Sequence, residues 1–421
     1  MRALCVSAVA SNQGKTVLTM ALLNHFKNSV RPFKIGPDFI DPLFHKKISN
    51  TPSVNLDRFM MDDEQLKWMF EHYSDKDISI CEGVMGFYDG MDKGSSAYDL
   101  SKLLNIPTIL ILDGSSSYIT ISAVLKGLVS YKEDNTIKAV VLNKISSHGH
   151  FELIKNQIEK DHDNIVVLGW IEKNIPSLSD THLGLDLKDM EKIDEISKEV
   201  LKHIDTAKVL EIASEFSMPK AQDYPFEKLE KQNKKIAIVN DENFSFLYHD
   251  NKEFLKESFE DVLIIDSTKD EEIPSDTDIV YIVGGYVEDE KNYDKVKDSK
   301  RFRDSLIKHS KTKTIYAECA GLLYLSNRVD NKEMSGILDL DFTLHGRFQR
   351  MGYYYSKELD AKGHSFHYTN VVDPKNGTDI ISKEKNGEGT VGSWEKDKVF
   401  GTYLHTMLRC NTELIKKKFL C

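Results

Sequence analysis

Cysteine is scarce and scattered: Cys5, Cys81, Cys319, Cys410 and Cys421 are the only five in 421 residues. An odd number without paired spacing excludes a disulfide framework and a clustered thiolate metal site, and fits a reducing, cytoplasmic setting. Basic residues are outnumbered, 56 Lys and Arg against 67 Asp and Glu, for a net charge of −11. That balance argues against nucleic-acid binding and against docking on an anionic membrane. The apolar residues 1–10 run directly into a glycine-lysine loop, so they read as a first buried strand, not as a signal peptide or a membrane span. Internal repeats and low-complexity tracts are also missing. What remains is an ordinary globular composition, 40% hydrophobic and 29% charged, long enough for two domains.

The first half alternates apolar strands with helical spacing, which predicts an α/β fold with a doubly wound, mostly parallel sheet. Residues 3–10 are followed by Ser11-Asn-Gln-Gly-Lys-Thr16, and then Val17, Leu18, Ala21, Leu22 and Phe26 recur at helical intervals. Strand, loop ending in Gly-Lys-Thr, and helix form the setting of a phosphate loop. In it Gly14 frees the backbone, Lys15 reaches the β/γ oxygens of a nucleotide and the Thr16 hydroxyl ligates Mg²⁺. One element is lacking, since Val9 stands where such loops carry their first glycine. Further strands are expected at 31–36, 78–81, 107–113, 137–143 and 165–170. Their C-terminal ends carry Asp38 and Asp41 beside prolines, Glu82, and Asn143. Open α/β sheets place ligands at that edge. Glu82 and Asp41 are candidate Mg²⁺ ligands with Thr16, Asp38 and Asp41 candidates for positioning an activated intermediate, and Asn143 a candidate for a base edge. Gly83, Gly86 and Gly90 would let the backbone approach a bulky ligand.

From 186 to 235 the sequence turns polar, giving a first domain over 1–204, a linker over 205–233 and a second domain over 234–421. The second domain holds Thr314-Ile-Tyr-Ala-Glu-Cys-Ala-Gly-Leu-Leu-Tyr-Leu325. An apolar strand, Cys319 flanked at two residues by Ala317 and Gly321, and an apolar helix make the layout of a nucleophile elbow. The turn aims backbone N–H groups at the reaction centre, where they steady an oxyanion and lower the thiol pKa. Gly284-Gly285, after the strand 279–283, can turn another N–H the same way. The last strand, 398–405, ends on His405.

Lys34-Ile-Gly-Pro-Asp-Phe-Ile-Asp-Pro-Leu-Phe-His45, Glu82-Gly-Val-Met-Gly-Phe-Tyr-Asp-Gly90 and His182-Leu-Gly-Leu185 resemble the cobyrinic acid a,c-diamide synthases of corrin biosynthesis. The resemblance implies a dethiobiotin synthetase-like ATP domain followed by a class I glutamine amidotransferase-like domain. It implies a glutamine-dependent carbon–nitrogen ligase that uses ATP and Mg²⁺ on a corrinoid tetrapyrrole through acyl phosphates. Cys319 would release ammonia with His405 as its base, and Gly284, Gly285 and Ala320 would line the oxyanion site. Many class I amidotransferases place a Glu two residues after that histidine; here it is Met407, which leaves a Cys–His dyad with nothing visible to orient the ring. His405 is then expected to keep a pKa near the free value of about 6.5. Hydrogenobyrinate or nickel-sirohydrochlorin as substrate, and a phosphate-loop switch ATPase without ligase activity, are the alternatives. Small-molecule partners alone are expected, with a homodimer open.

Overall fold

The computed structural model describes residues 1–175, 180–181, 184–185, 190–219, 223–374 and 376–420. His182 and Leu183 of the His-Leu-Gly-Leu motif lie outside the described residues. The chain divides into two compact units, Met1–Pro225 and Phe226–Cys421. Among the described residues no helix is long and apolar enough to cross a membrane.

The first unit is built on seven parallel strands: β1 (Arg2–Ala8), β2 (Val30–Ile35), β3 (Val54–Leu56), β4 (Ile78–Glu82), β5 (Thr108–Asp113), β6 (Ile137–Ile145) and β7 (Val166–Glu172). Their order is β3-β2-β4-β1-β5-β6-β7, so β2, β3 and β4 lie on one side of β1, with β4 returning between β1 and β2, and β5 to β7 run outward on the other. Right-handed crossovers on both sides of a starting strand put helices on both faces. Every residue of β2 and β4 is buried, as such covering requires. The three-residue edge strand β3 has no counterpart in the sequence reading, because Val54-Asn-Leu56 is too short to show a period. Helix α1 (Lys15–His25) follows β1, and α2 (Ile40–Ser49) follows β2. The expected linker over 205–233 is partly helix. Asp205 caps Thr206–Ser214 by accepting from the Lys208 N–H at 3.0 Å, and Val209, Ile212 and Ala213 join the first core.

The second unit has a ten-stranded sheet. Strands β8 (Gln232–Val239), β9 (Phe259–Ile265), β10 (Ile279–Ile282) and β11 (Thr314–Glu318) pair in parallel in the order β9-β8-β10-β11, and β11 continues to Val399–Thr402, also parallel. Antiparallel strands Gly389–Lys396, Gly377–Ser382, Arg350–Ser356 and Ala361–His367 complete it, ending on the two-residue strand His405–Thr406. His405 therefore does not close the strand that contains Phe400. The chain leaves that strand after Thr402, and His405 pairs instead with His364 at the far edge. A single run of six apolar and small residues, 399–404, conceals this break, because Tyr403 and Leu404 are as buried as a continuous strand would make them.

Candidate active site

At the end of β1 the chain turns through 9–14, and Gly14 adopts φ +102°, a conformation L side chains rarely take. A Cβ there would also lie 2.5 Å from Asn143 Nδ2. Lys15 is buried, and its Nζ donates to the Ala10 carbonyl at 3.1 Å. Burial, then the charge of Lys34, holds its pKa down. The Thr16 hydroxyl donates to Glu82 Oε1 at 2.8 Å. This is possible because Glu82 ends β4 in register with Val6 of β1. Glu82 is fully buried, and its Oε2 lies 2.7 Å from His45 Nε2, whose other nitrogen meets Ser53 Oγ at 3.0 Å.

Lys34, opposite Glu82 on β2, is the centre of an acidic cluster that sequence reasoning missed. Its Nζ is 2.5 Å from Asp41 Oδ2, 3.6 Å from Glu82 Oε1 and 3.9 Å from Asp38 Oδ2. Burial opposes its charge, but the three carboxylates outweigh that and raise its pKa. Asp41 is half-buried, which raises its pKa, and Lys34 more than offsets this, bringing it down to about 2. Asp38, pushed by burial and by Asp41, rises to about 6 while accepting the Ile40 N–H at 2.9 Å at the start of α2. The available signal was a lysine in an otherwise buried strand, which demands carboxylates nearby.

Asn143 also braces the phosphate loop: its Nδ2 donates to the Gln13 carbonyl at 2.9 Å, and its Oδ1 accepts the Lys144 N–H at 2.8 Å. The expectation for the glycines changes here. Gly86 is required by close approach of protein to itself, since a Cβ would sit 2.3 Å from the Val9 carbonyl oxygen. Gly83 likewise lies against Ser7 and Ala97, and Gly90 serves a turn at φ +94°. Gly86 thus fits the Glu82 loop against the phosphate loop, while Gly83 and Gly90 serve strand packing and a turn, where a bulky ligand was expected.

In the second unit β11 delivers Cys319 into an elbow at φ +48°, ψ −106°. Its N–H donates to the Thr402 carbonyl at 2.8 Å, and the helix Ala320–Leu325 starts at once. Gly321 is forced by packing, as a Cβ would come within 2.5 Å of the Ile282 carbonyl oxygen. The backbone N–H groups of Ala320 and Gly285 favour the charged form of the Cys319 sulfur. Gly285 is pressed on the Asn243 carbonyl, with 2.0 Å left for a Cβ, and Gly284 on His405, with 2.2 Å to Cε1. The Gly-Gly pair thus touches the nucleophile through one residue and the imidazole through the other.

Burial dominates this site. Cys319 is 3% and His405 1% exposed. The thiol pKa is raised by burial and next by the charge of Glu288, against the two N–H donors, so the lowering expected of the elbow does not prevail. Burial pushes His405 down to about 3, well below the expected 6.5. Glu288, four residues beyond Gly284, is buried with Oε2 lacking a hydrogen bond, and burial lifts it to about 7. His364 stacks on His405 with ring centroids 5.0 Å apart. Nor is the imidazole without a carboxylate: Glu318 Oε2 stands 3.6 Å from Nδ1.

Residues 235–412 match the family of CobB/CobQ-like glutamine amidotransferase domains. Together with the nucleotide-binding first unit, this makes the protein a glutamine-dependent carbon–nitrogen ligase. A cobyrinate a,c-diamide synthase of Methanococcus maripaludis is 34% identical over 438 residues, covering 96% of this chain and 96% of its own. One of Fusobacterium nucleatum is 36% identical over 402 residues, with 88% and 89% covered. The chain belongs to the cobyrinate a,c-diamide synthase family. Among solved structures, a glutamine amidotransferase of Thermotoga maritima is 16% identical with a TM-score of 0.31, covering 44% of this chain and 82% of that one, a level that bears no functional weight.

Proposed function

We propose that the protein uses ATP and glutamine to amidate the a and c side-chain carboxylates of cobyrinate. The observation that carries this reading is near-full-length identity to synthases of that name, in a chain that keeps Lys15, Thr16, Glu82, Cys319 and His405. In the second unit His405 takes the proton of Cys319 as sulfur attacks the glutamine carboxamide carbon. The oxyanion is met by the N–H groups of Gly285 and Ala320. Ammonia leaves with the proton returned by His405, and water cleaves the thioester to glutamate.

In the first unit a substrate carboxylate attacks the γ-phosphorus of ATP, ADP departs, and ammonia displaces phosphate from the acyl phosphate. Lys15 balances charge on the phosphates. The Thr16 hydroxyl and the Glu82 carboxylate are a hard-oxygen pair suited to Mg²⁺, which takes one or two protein ligands and fills its shell with phosphate and water. Bound there, the ion would offset charge on the transferring group. Asp41 is engaged by Lys34, so it serves better at the edge of this shell than within it. Asp38 and Lys34 would meet the acyl phosphate or the arriving ammonia, a role supported by their closeness to each other and to Asp41 beyond the end of β2.

The test is turnover by purified protein with ATP, Mg²⁺ and glutamine, offering cobyrinate, hydrogenobyrinate and nickel-sirohydrochlorin in parallel. Diamide formation on cobyrinate is expected by product mass; preference for another tetrapyrrole would move the substrate assignment and leave the chemistry. ATP hydrolysis without any amide product would favour the switch ATPase, a reading that gives Cys319 and His405 nothing to do.

A further inference from the structure

Met407, the position where many class I amidotransferases carry the acid of the triad, is buried and apolar. A carboxylate reaches His405 from the other side of the nucleophile. Glu318 directly precedes Cys319 and is 1% exposed. Strand alternation puts it on the face of Tyr316, two residues back, and Tyr281 stands in register with Tyr316 on β10. Three hydroxyls donate to it: Tyr281 at 3.1 Å, Tyr316 at 3.2 Å and Thr406 at 3.3 Å. A carboxylate buried this deeply is costly to keep unless its acceptor sites are used. The hydroxyls use most of them, and Oε2 also faces His405 Nδ1 at 3.6 Å. That separation is just beyond an N–H···O bond, the loose state from which catalytic contacts tighten on substrate binding.

We propose that Glu318 is the positioning residue of His405: it orients the ring through Nδ1 and stabilises the imidazolium formed when Nε2 accepts the Cys319 proton. The inference rests on the amidotransferase reading of the Cys319 site. In the step concerned the S–H bond breaks, the proton passes to Nε2, and the sulfur pair forms the C–S bond. The same proton then leaves with ammonia, so Glu318 gains nothing over the cycle. Burial lifts Glu318 to about 8 against the three hydroxyl donors, so it carries its charge above that pH, the range in which the buried thiol also ionises. The other ionisable groups around the pair are Cys319, His364 stacked on the ring, His367, Glu288 beside the thiol, and the phenols of Tyr281 and Tyr316.

Full-length Glu318→Gln, Glu318→Asp and Tyr281→Phe test this. In Glu318→Gln, kcat for glutamine hydrolysis should fall ~100-fold, as when one preorganised electrostatic contact is removed. KM for glutamine should stay within about twofold, the signature of an interaction made in the transition state. Amidation driven by added ammonium should persist. A second readout needs no tetrapyrrole: the pH profile of Cys319 alkylation by iodoacetamide. Loss of the carboxylate disfavours the imidazolium–thiolate pair, so the rising limb should move to higher pH, with a smaller shift in Tyr281→Phe and partial rescue in Glu318→Asp. A folded Glu318→Gln with unchanged kcat and an unmoved limb overturns the proposal. Equal loss of ammonium-driven amidation would make Glu318 merely structural and overturns it too. If Glu318→Gln does not fold, Glu318→Asp and Tyr281→Phe decide by the same limb. Failure of the proposed function looks different: wild type forms no amide on any tetrapyrrole, while the alkylation limb still answers to Glu318.

Discussion

The two sites solve opposite electrostatic problems. Around the phosphate loop, charges are buried in pairs: Lys34 holds Asp41 and lies near Asp38 and Glu82, while Glu82 takes Thr16 and His45. Around Cys319, burial outweighs pairing, and the thiol, His405, Glu288 and Glu318 are all pushed toward neutral forms. The first arrangement suits a polyanion that arrives fully charged, because lysine charge must already be in place. The second suits a neutral carboxamide, because charge appears only during reaction and is met by fixed N–H dipoles in a dry site. A cluster of paired charges thus announces a charged ligand, and a cluster of desolvated acids and bases announces charge created in the transition state.

The comparison breaks most sharply at the nucleophile. Cys319→Ala should abolish glutamine-driven amidation and leave ammonium-driven amidation largely intact, followed by product formation with each nitrogen source. Loss of both activities in a folded variant would show that the two chemistries are not separable. Lys15→Ala should fail with either nitrogen source, with kcat/KM for ATP down by ~10²–10³, since a preorganised charge is lost from the phosphate cradle. Near-normal turnover would mean that the loop bearing Val9 does not hold phosphate.

A smaller effect is expected where the Gly-Gly pair meets the base. Gly284→Ala puts a Cβ 2.2 Å from His405 Cε1, so the ring must shift. Glutamine hydrolysis should drop by about tenfold or more while ammonium-driven synthesis is spared, given how steeply rate depends on alignment. Equal glutaminase rates in the variant and wild type would deny that the ring position matters.

The smallest effect is in stability against pH, where Asp41 and the buried glutamates beside Cys319 contribute with opposite sign. Asp41, at about 2, lies below its unfolded value of about 3.9, so it contributes stability above that value and loses it as pH falls toward 2. Glu288 at about 7 and Glu318 at about 8 lie above the unfolded value of about 4.3. At these two glutamates the folded chain keeps protons that the unfolded chain releases, so their contribution to stability falls as pH rises from about 4.5 through about 8, while His405, at about 3, contributes the opposite trend below about 6.5. Glu288→Gln should flatten that decline, raising the melting temperature at pH 8 relative to pH 6 by on the order of a few degrees. A decline as steep in Glu288→Gln as in wild type would remove Glu288 as its source.

Residues close together in the chain made much of this legible. The apolar run of β1 ending in Gly-Lys-Thr, the alternation of strand and helix in the first half, and the small residues around Cys319 each state a local geometry that backbone sterics enforce. The long motifs beginning at Lys34 and Glu82 resembled one enzyme family, and that resemblance led to the amide ligase to which comparison with whole chains also leads. Tertiary structure decided what depends on neighbours in space. Asn143 became a brace because the parallel sheet sets the end of β6 beside the phosphate loop, and Lys34 became a hub because β2 lies in register with β4. Glu318 came to face His405 because the chain breaks after Thr402 and returns at the far edge of the sheet. The protonation states were decided there as well, since desolvation depends on how deeply a group is buried, and no residue's type or spacing carries that depth.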